Sequence, residues 1–68
     1  MYYRRIRDLR EDADLTQKEV ADILNLSREV YRRYEAGTRT VPVDVLIELA
    51  RLYRVSTDYL LGLTNKKH

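Results

Sequence analysis

Apolar residues recur at spacings of four, three and four near the start of the chain, at Tyr2, Ile6, Leu9 and Ala13, with charged residues between them. That spacing gathers the apolar side chains on one stripe of a helix, so residues 2–13 are predicted as an amphipathic first helix. Arg7 and Glu11 add an i,i+4 pair in the weaker order, contributing roughly a few tenths of a kcal/mol at most. Thr16 and Glu19 then stand in the S/T-x-x-E spacing, where each side chain satisfies a backbone donor that a helix start leaves unpaired. A second helix of about nine residues is expected from Thr16, because Val20, Ala21 and Leu24 share one side and Lys18, Asp22 and Asn25 the other. Ala21 is small enough to let another helix cross close by, which an ordinary core alanine also does.

Asn25-Leu26-Ser27 supplies a turn: Asn tolerates left-handed φ, Leu26 can plug the core, and Ser27 can cap the next helix. Advancing about 100° per residue from Ser27 puts Tyr31 and Tyr34 on one side of this third helix and Arg28, Glu29, Arg32 and Arg33 on the other. Gly37 marks its end. After a loop through Thr38, Arg39 and Thr40, Pro42 suits a helix's first turn, where its missing donor is not needed. Leu46, Leu49, Ala50 and Tyr53 follow at i, i+3, i+4 and i+7, and Ile47 widens this stripe toward Val43. Ser56 as N-cap and Asp58 as a first-turn acid predict a short fifth helix from Thr57 to Leu61, stopped by Gly62. Nothing reads as a strand. The fold class is all-α: a compact five-helix bundle over residues 1–63, followed by a short basic tail over 64–68. Its expected core is Ile6, Leu9, Leu15, Val20, Ala21, Leu24, Leu26, Tyr31, Tyr34, Leu46, Leu49, Ala50, Val55 and Leu60.

Sixty-eight residues make one domain, near the size at which a core suffices without staples, and the absence of cysteine removes disulfides and thiolate metal sites. With 44% hydrophobic and 35% charged residues the chain is too apolar for disorder. No run approaches the roughly 18 apolar residues that span a membrane, and no signal-peptide core is present, so a cytoplasmic location is expected. The net charge of +2 permits nucleic-acid binding without arguing for it. Its distribution argues more: Ser27 to Thr40 holds four arginines against two glutamates, and Lys66 and Lys67 lie in the tail. A basic helix face is also what simple solvation produces; the capped helix and turn before it favour a reading head.

Arginine's planar fork matches O6 and N7 of guanine, so Arg28, Arg32 and Arg33 are candidates for base contact, with Arg28 nearest the helix start that enters the major groove deepest. Each can instead hold phosphate. Glu29 either accepts from cytosine N4 or orients Arg32 or Arg33, and the second role is favoured slightly. Gln17 and Ser27 sit at helix starts, whose free amides suit a backbone phosphate, and Arg39 in the loop is a further phosphate candidate or a solvated residue. Six tyrosines without Phe or Trp could stack on single-stranded bases, but Tyr31, Tyr34 and Tyr53 fit the core. Leu52, Tyr59, Leu61 and Leu63 exceed what the core uses and suggest a two-fold partner surface, which would hold two recognition helices roughly 34–36 Å apart. Singly exposed apolar residues on a monomer are the plain alternative. Enzyme chemistry finds no support: the only histidine is His68, no phosphate-cradling glycine loop exists, and no metal set, cofactor or small-molecule ligand is implied.

Five blocks in order, Leu15-Thr-Gln-x-Glu-Val-Ala-x-x-Leu24, Leu26-Ser-Arg28, Tyr34-Glu-x-Gly37, Pro42, and Ser56-x-Asp-x-Leu-Leu-Gly62, resemble the Cro and phage-repressor type helix-turn-helix family, also called the Xre family. The resemblance runs from about Ile6 to Leu63. It implies a lambda-repressor-like fold with the helix-turn-helix at helices 2 and 3. It also implies transcription control in the cytoplasm at the nucleoid, and homodimers on partly palindromic double-stranded operators. By the same resemblance Gln17 touches phosphate or a base edge, and Arg28, Glu29, Arg32 and Arg33 occupy the outward positions of the recognition helix. Tyr34 and Glu35 match a structural pair, with Glu35 tied to a basic first-helix residue, here Arg10. Two positions depart from the family pattern. Val30 replaces a common small hydroxyl residue and can meet a thymine methyl or merely pack. Val43 replaces a frequent capping serine, which leaves the fourth helix's start open by a turn. The function expected is a sequence-specific double-stranded DNA-binding regulator, a repressor in the family's manner. A protein-interaction module such as an antitoxin or adaptor is the second reading, and a single-strand binder the third.

Overall fold

The computed structural model describes residues 2–68. Five helices form in the expected order: α1 (Arg4–Asp12), α2 (Gln17–Ile23), α3 (Arg28–Ala36), α4 (Val43–Tyr53) and α5 (Thr57–Leu60). The described residues contain no strand. α2 packs on α3, α4 on α5, and α1 on both α3 and α5, in a body of 29 × 23 × 18 Å.

The polar signals act where they were expected. Thr16 Oγ1 accepts from the Glu19 N–H at 3.1 Å and Glu19 Oε1 accepts from the Thr16 N–H at 2.9 Å, a complete capping box. Ser27 Oγ accepts from the Val30 N–H at 3.2 Å and Ser56 Oγ from the Tyr59 N–H at 3.0 Å. α3 ends at Gly37, whose φ of 82° no side chain favours. Asn25 takes left-handed φ of 56° in the turn after α2, where Leu26 N–H closes back onto the Ala21 carbonyl at 2.8 Å.

Several boundaries differ from the sequence reading. α1 covers Arg4–Asp12 rather than residues 2–13, because Tyr3 stands at the N-cap in an extended conformation and offers no side-chain cap. Its other end turns at Asp14, a non-glycine residue with φ of 57°, and α4 turns likewise at Arg54 with φ of 55°. Neither stop carries the glycine that signals one. Pro42 is the N-cap of α4 and not a residue of its first turn, so the helix begins at Val43. α5 ends at Leu60, one residue early, and its last turn relaxes toward Gly62 at φ of 79°.

Ile6, Leu9, Val20, Ala21, Tyr31, Tyr34, Val41, Leu46, Leu49, Ala50, Val55 and Leu60 form the buried core. Leu15, Leu24 and Leu26, expected inside it, are only partly buried and pack against its edge. Val41 is buried although it lies in the loop, because the chain must fold back across the bundle before α4. Tyr2 and Ala13, at the two ends of the predicted first stripe, are exposed because α1 is shorter than that stripe. Ile47 and Val43 do not widen the buried stripe of α4; they lie outside at 40% and 71% exposure.

Residues beyond α5 lie against the body. One Arg5 guanidinium nitrogen, Nη1, donates to the Tyr59 carbonyl at 2.8 Å and also to the Thr64 carbonyl, while Nη2 donates to Asn65 Oδ1 at 2.7 Å. The same guanidinium stacks 4.1 Å from the Tyr59 ring centre. The Ser56 N–H reaches the Lys67 carbonyl at 2.6 Å.

Candidate nucleic-acid interface

The third helix is pinned from inside by aromatic residues. Tyr31 and Tyr34 are buried at 0% and 4% exposure, and this fixes the rotation of α3 about its axis. Arg28, Glu29, Arg32 and Arg33 therefore project from the opposite side, all exposed. Ala21 on α2 is 1% exposed, and α2 packs on α3.

Behind this helix sits a buried ion pair. Arg10 Nε and Nη2 donate to the two Glu35 carboxylate oxygens, each at 2.9 Å, and Arg10 Nη1 donates to the Leu15 carbonyl at 2.8 Å. One guanidinium thus ties α1 to α3 and to the entry of α2. Burial works against the charge on Glu35, but the hydrogen bonds from Arg10, the nearby Tyr31 hydroxyl and the Gln17 amide together outweigh it and hold the carboxyl below its ordinary range. Gln17 Nε2 lies 3.4 Å from Glu35 Oε1, so the amide's first contact is inward, at the start of α2. Tyr31 and Tyr53 hydroxyls are buried in the same neighbourhood with no partner at hydrogen-bond geometry among the described residues. Burial pushes the Tyr53 phenol up to about 12 and Tyr31 higher still, so both stay neutral.

On the outward face Glu29 is the hub. Arg32 Nη2 and Nε reach its two oxygens at 2.6 and 3.1 Å, and Arg33 Nε reaches the first oxygen at 3.2 Å. Hydrogen bonding to Arg32, then to Arg33, pulls the Glu29 carboxyl down to about 2. The geometry matches an orienting role for Glu29. Arg28, in contrast, makes no ion pair among the described residues. It lines an open hollow together with Arg10, Gln17 and Lys18 and the acids Glu11 and Asp14. A second hollow brings Arg7 beside Gln17 and Arg32. Local spacing gives Arg7 only as the partner of Glu11, which it meets at 3.3 Å, and carries no sign that α1 also brings it to the edge of this face.

The remaining predicted residues fall as follows. Ser27 is exposed but its hydroxyl is engaged in the cap, and Val30 is partly buried against the core. Arg39 is exposed, with its guanidinium 5.7 Å from the Tyr34 ring centre. Leu52, Tyr59 and Leu61 are partly buried on the chain's own core, while Leu63 is 73% exposed. Of the six tyrosines only Tyr2 is exposed, so no row of open rings exists on which bases could stack. The described residues hold no group of three or more His, Cys, Asp or Glu able to bind a metal, and no helix long and apolar enough to cross a membrane.

Two capped helices joined by a tight turn, the second locked by tyrosines so that its arginines face outward, define a helix-turn-helix protein. The helix-turn-helix family model matches residues 6–60, and the chain belongs to that family. It is 45% identical over 65 residues to the uncharacterized HTH-type transcriptional regulator YobD of Bacillus subtilis, covering 96% of this chain and 58% of the relative. It is 44% identical over 59 residues to the HTH-type transcriptional regulator ImmR of the same organism, covering 87% and 46%. With the cryptic phage CTXphi transcriptional repressor RstR of Vibrio cholerae it shares 38% identity over 55 residues, covering 81% and 50%. These relatives are named for transcription control and not for catalysis. The chain spans about half the length of the curated relatives it matches.

Proposed function

We propose that this protein is a sequence-specific, double-stranded DNA-binding transcriptional regulator that represses by occupying promoter DNA. The observation that carries the reading is the fixed rotation of α3: buried Tyr31 and Tyr34 hold Arg28, Glu29, Arg32 and Arg33 outward as one face. An α-helix fits the major groove, and its N-terminal residues meet base edges first. Arg28, unpaired and at the helix start, takes the base-reading role. Arg32 and Arg33, already spread by Glu29, contact a base edge or the flanking phosphates. Gln17, Ser27 and Arg39 hold the backbone around them, and Val30 adds packing or a methyl contact.

In this reading two copies bind a partly palindromic operator, one α3 in each half-site. Repression accords with RstR, a relative named as a transcriptional repressor. A location on cytoplasmic DNA goes with the role, and neither a cofactor nor a small-molecule ligand enters it.

Selection of bound fragments from random duplex DNA tests the proposal. A partly symmetric consensus should emerge, bound about 10³-fold or more tighter than random duplex, with log affinity falling steeply against log salt. A protein that enriches no sequence, or binds all duplexes alike, would refute it.

A further inference from the structure

The outward face of α4 is the one helix face whose charges of both signs find no partner within the chain, among the described residues. α1 closes Arg4–Asp8 and Arg7–Glu11, α2 closes Lys18–Asp22, and α3 closes Glu29 with Arg32 and Arg33. On α4, Asp44, Glu48 and Arg51 are exposed and form no ion pair; Asp44 Oδ1 accepts only the N–H of its neighbour Val45, at 3.1 Å. Beside these charges lie Val43 and Ile47, 71% and 40% exposed. At about 100° per residue Val43, Ile47, Arg51 and Asp44 fall within an arc of about 100°, a single stripe that is acidic and apolar at its start and basic at its end.

We propose that this stripe pairs with a second copy of the same chain, α4 against α4 in antiparallel orientation. The proposal rests on the homodimer reading above and gives it a surface. A two-fold axis crossing α4 between Ile47 and Glu48 lies midway between Asp44 and Arg51. Each Asp44 then faces Arg51 of the other copy, twice by symmetry. Ile47 meets its symmetry mate at the centre, and Val43 covers the aliphatic stem of the opposing Arg51. Parallel pairing would set Asp44 against Asp44 and Arg51 against Arg51, so the charge order excludes it. Within one helix Asp44 and Arg51 stand about 10.5 Å apart along the axis, too far to pair with each other. The complementarity therefore needs two molecules. A single pair of short helices buries less than a standard interface, so association in the micromolar range is expected without DNA.

Sedimentation equilibrium of the full chain at low salt reads this directly, with circular dichroism as the check of folding. Asp44→Arg and Arg51→Asp should each raise the dimer dissociation constant roughly tenfold or more, since one substitution turns both symmetric pairs into repulsions. The combined D44R/R51D chain should return to within about threefold of wild type. If either reversal fails to fold, Asp44→Asn and Arg51→Gln take its place, and each should weaken the dimer. Single reversals that weaken the dimer without recovery in the combined chain would overturn the antiparallel register. Unchanged association in both singles, with Leu63→Asp abolishing the dimer, would move the interface to the segment after α5 while leaving the homodimer reading intact. A wild-type chain that stays monomeric to about 1 mM, and binds a selected operator as one chain per duplex, would remove both.

Discussion

The Arg10 guanidinium and the Glu35 carboxylate meet fork to fork, two N–H donors on two oxygens at 2.9 Å each. Their side chains are 13% and 5% exposed, so the pair is nearly sealed from water. Removing one partner from such a pair leaves an uncompensated buried charge and costs about 3 kcal/mol or more. Glu35→Ala should therefore lower the melting temperature by roughly 12–24 °C, at roughly 4–8 °C per kcal/mol for a domain of this size. Arg10→Met with Glu35→Leu together should recover more than half of the loss, because an apolar pair carries no desolvation penalty. Urea or thermal unfolding of the three variants checks this, and a combined variant no better than Glu35→Ala would contradict it.

The same pair sets a pH dependence. Glu35's folded pKa lies below its unfolded value, so the native state binds fewer protons and the stabilisation is fully present above the ordinary carboxylate range, about 4.3. It is lost as pH falls through the lower folded value. Unfolding free energy should drop between about pH 5 and pH 2 more steeply for wild type than for Glu35→Gln, whose amide does not titrate there. Parallel slopes for the two proteins would argue that other carboxylates carry the acid sensitivity.

The helices and the outward side of α3 were legible because their signals are local. Thr16 with Glu19, Ser27, and the tyrosine spacing of α3 each act within one or two turns, and all appear as expected. What local spacing could not supply is where two helices bring distant residues together. Arg5 carries no local signal, yet it clasps Tyr59, Thr64 and Asn65 across more than fifty residues of sequence. Val43 and Ile47 were drawn inward by hydrophobicity alone, while the rotation of α4, set by Leu46, Leu49 and Ala50, turned them out. Asp14 and Arg54 adopt left-handed turns because the following Leu15 and Val55 must fold back onto the bundle, a tertiary demand with no residue-type signature.

Two glycines with nearly equal φ should respond differently to a methyl group. At Gly62, φ of 79°, an added Cβ meets nothing within 4 Å, so Gly62→Ala carries only the backbone penalty of about 1–2 kcal/mol. At Gly37, φ of 82°, the same atom would come within 2.9 Å of the Tyr2 backbone. Gly37→Ala should thus destabilise by more than Gly62→Ala, in urea melts followed by circular dichroism. Deleting residues 1–3 should shrink the difference, because the clash disappears while the φ penalty stays.

Arg28 and Arg39 separate base reading from backbone attraction. Arg28→Ala should cost about 1–3 kcal/mol at the preferred sequence and relax the preference at one base position in each half-site. Arg39→Ala should weaken every duplex alike and reduce the salt slope by about one. Repeating the selection with each variant is the measurement. Equal losses on selected and random DNA for Arg28→Ala would assign that side chain to phosphate.

Glu29 offers the sharpest test of how the face is organised, because its two proposed roles predict opposite results. Its carboxyl titrates at about 2 and stays ionised in any binding assay, holding Arg32 and Arg33 in place while repelling phosphate. Glu29→Gln keeps the size, removes the charge and releases both arginines. If Glu29 orients them, the variant should bind random duplex more tightly, with a salt slope steeper by about one, and lose preference broadly across the half-site. The fold should be unaffected, since the three side chains are exposed and their pairing contributes little to stability. If Glu29 instead accepts from cytosine N4, preference should fall at a single cytosine and the rest of the consensus should persist. The Arg32 fork, bonded to both oxygens, favours the first outcome. A selected consensus that differs from wild type at one position only would overturn it.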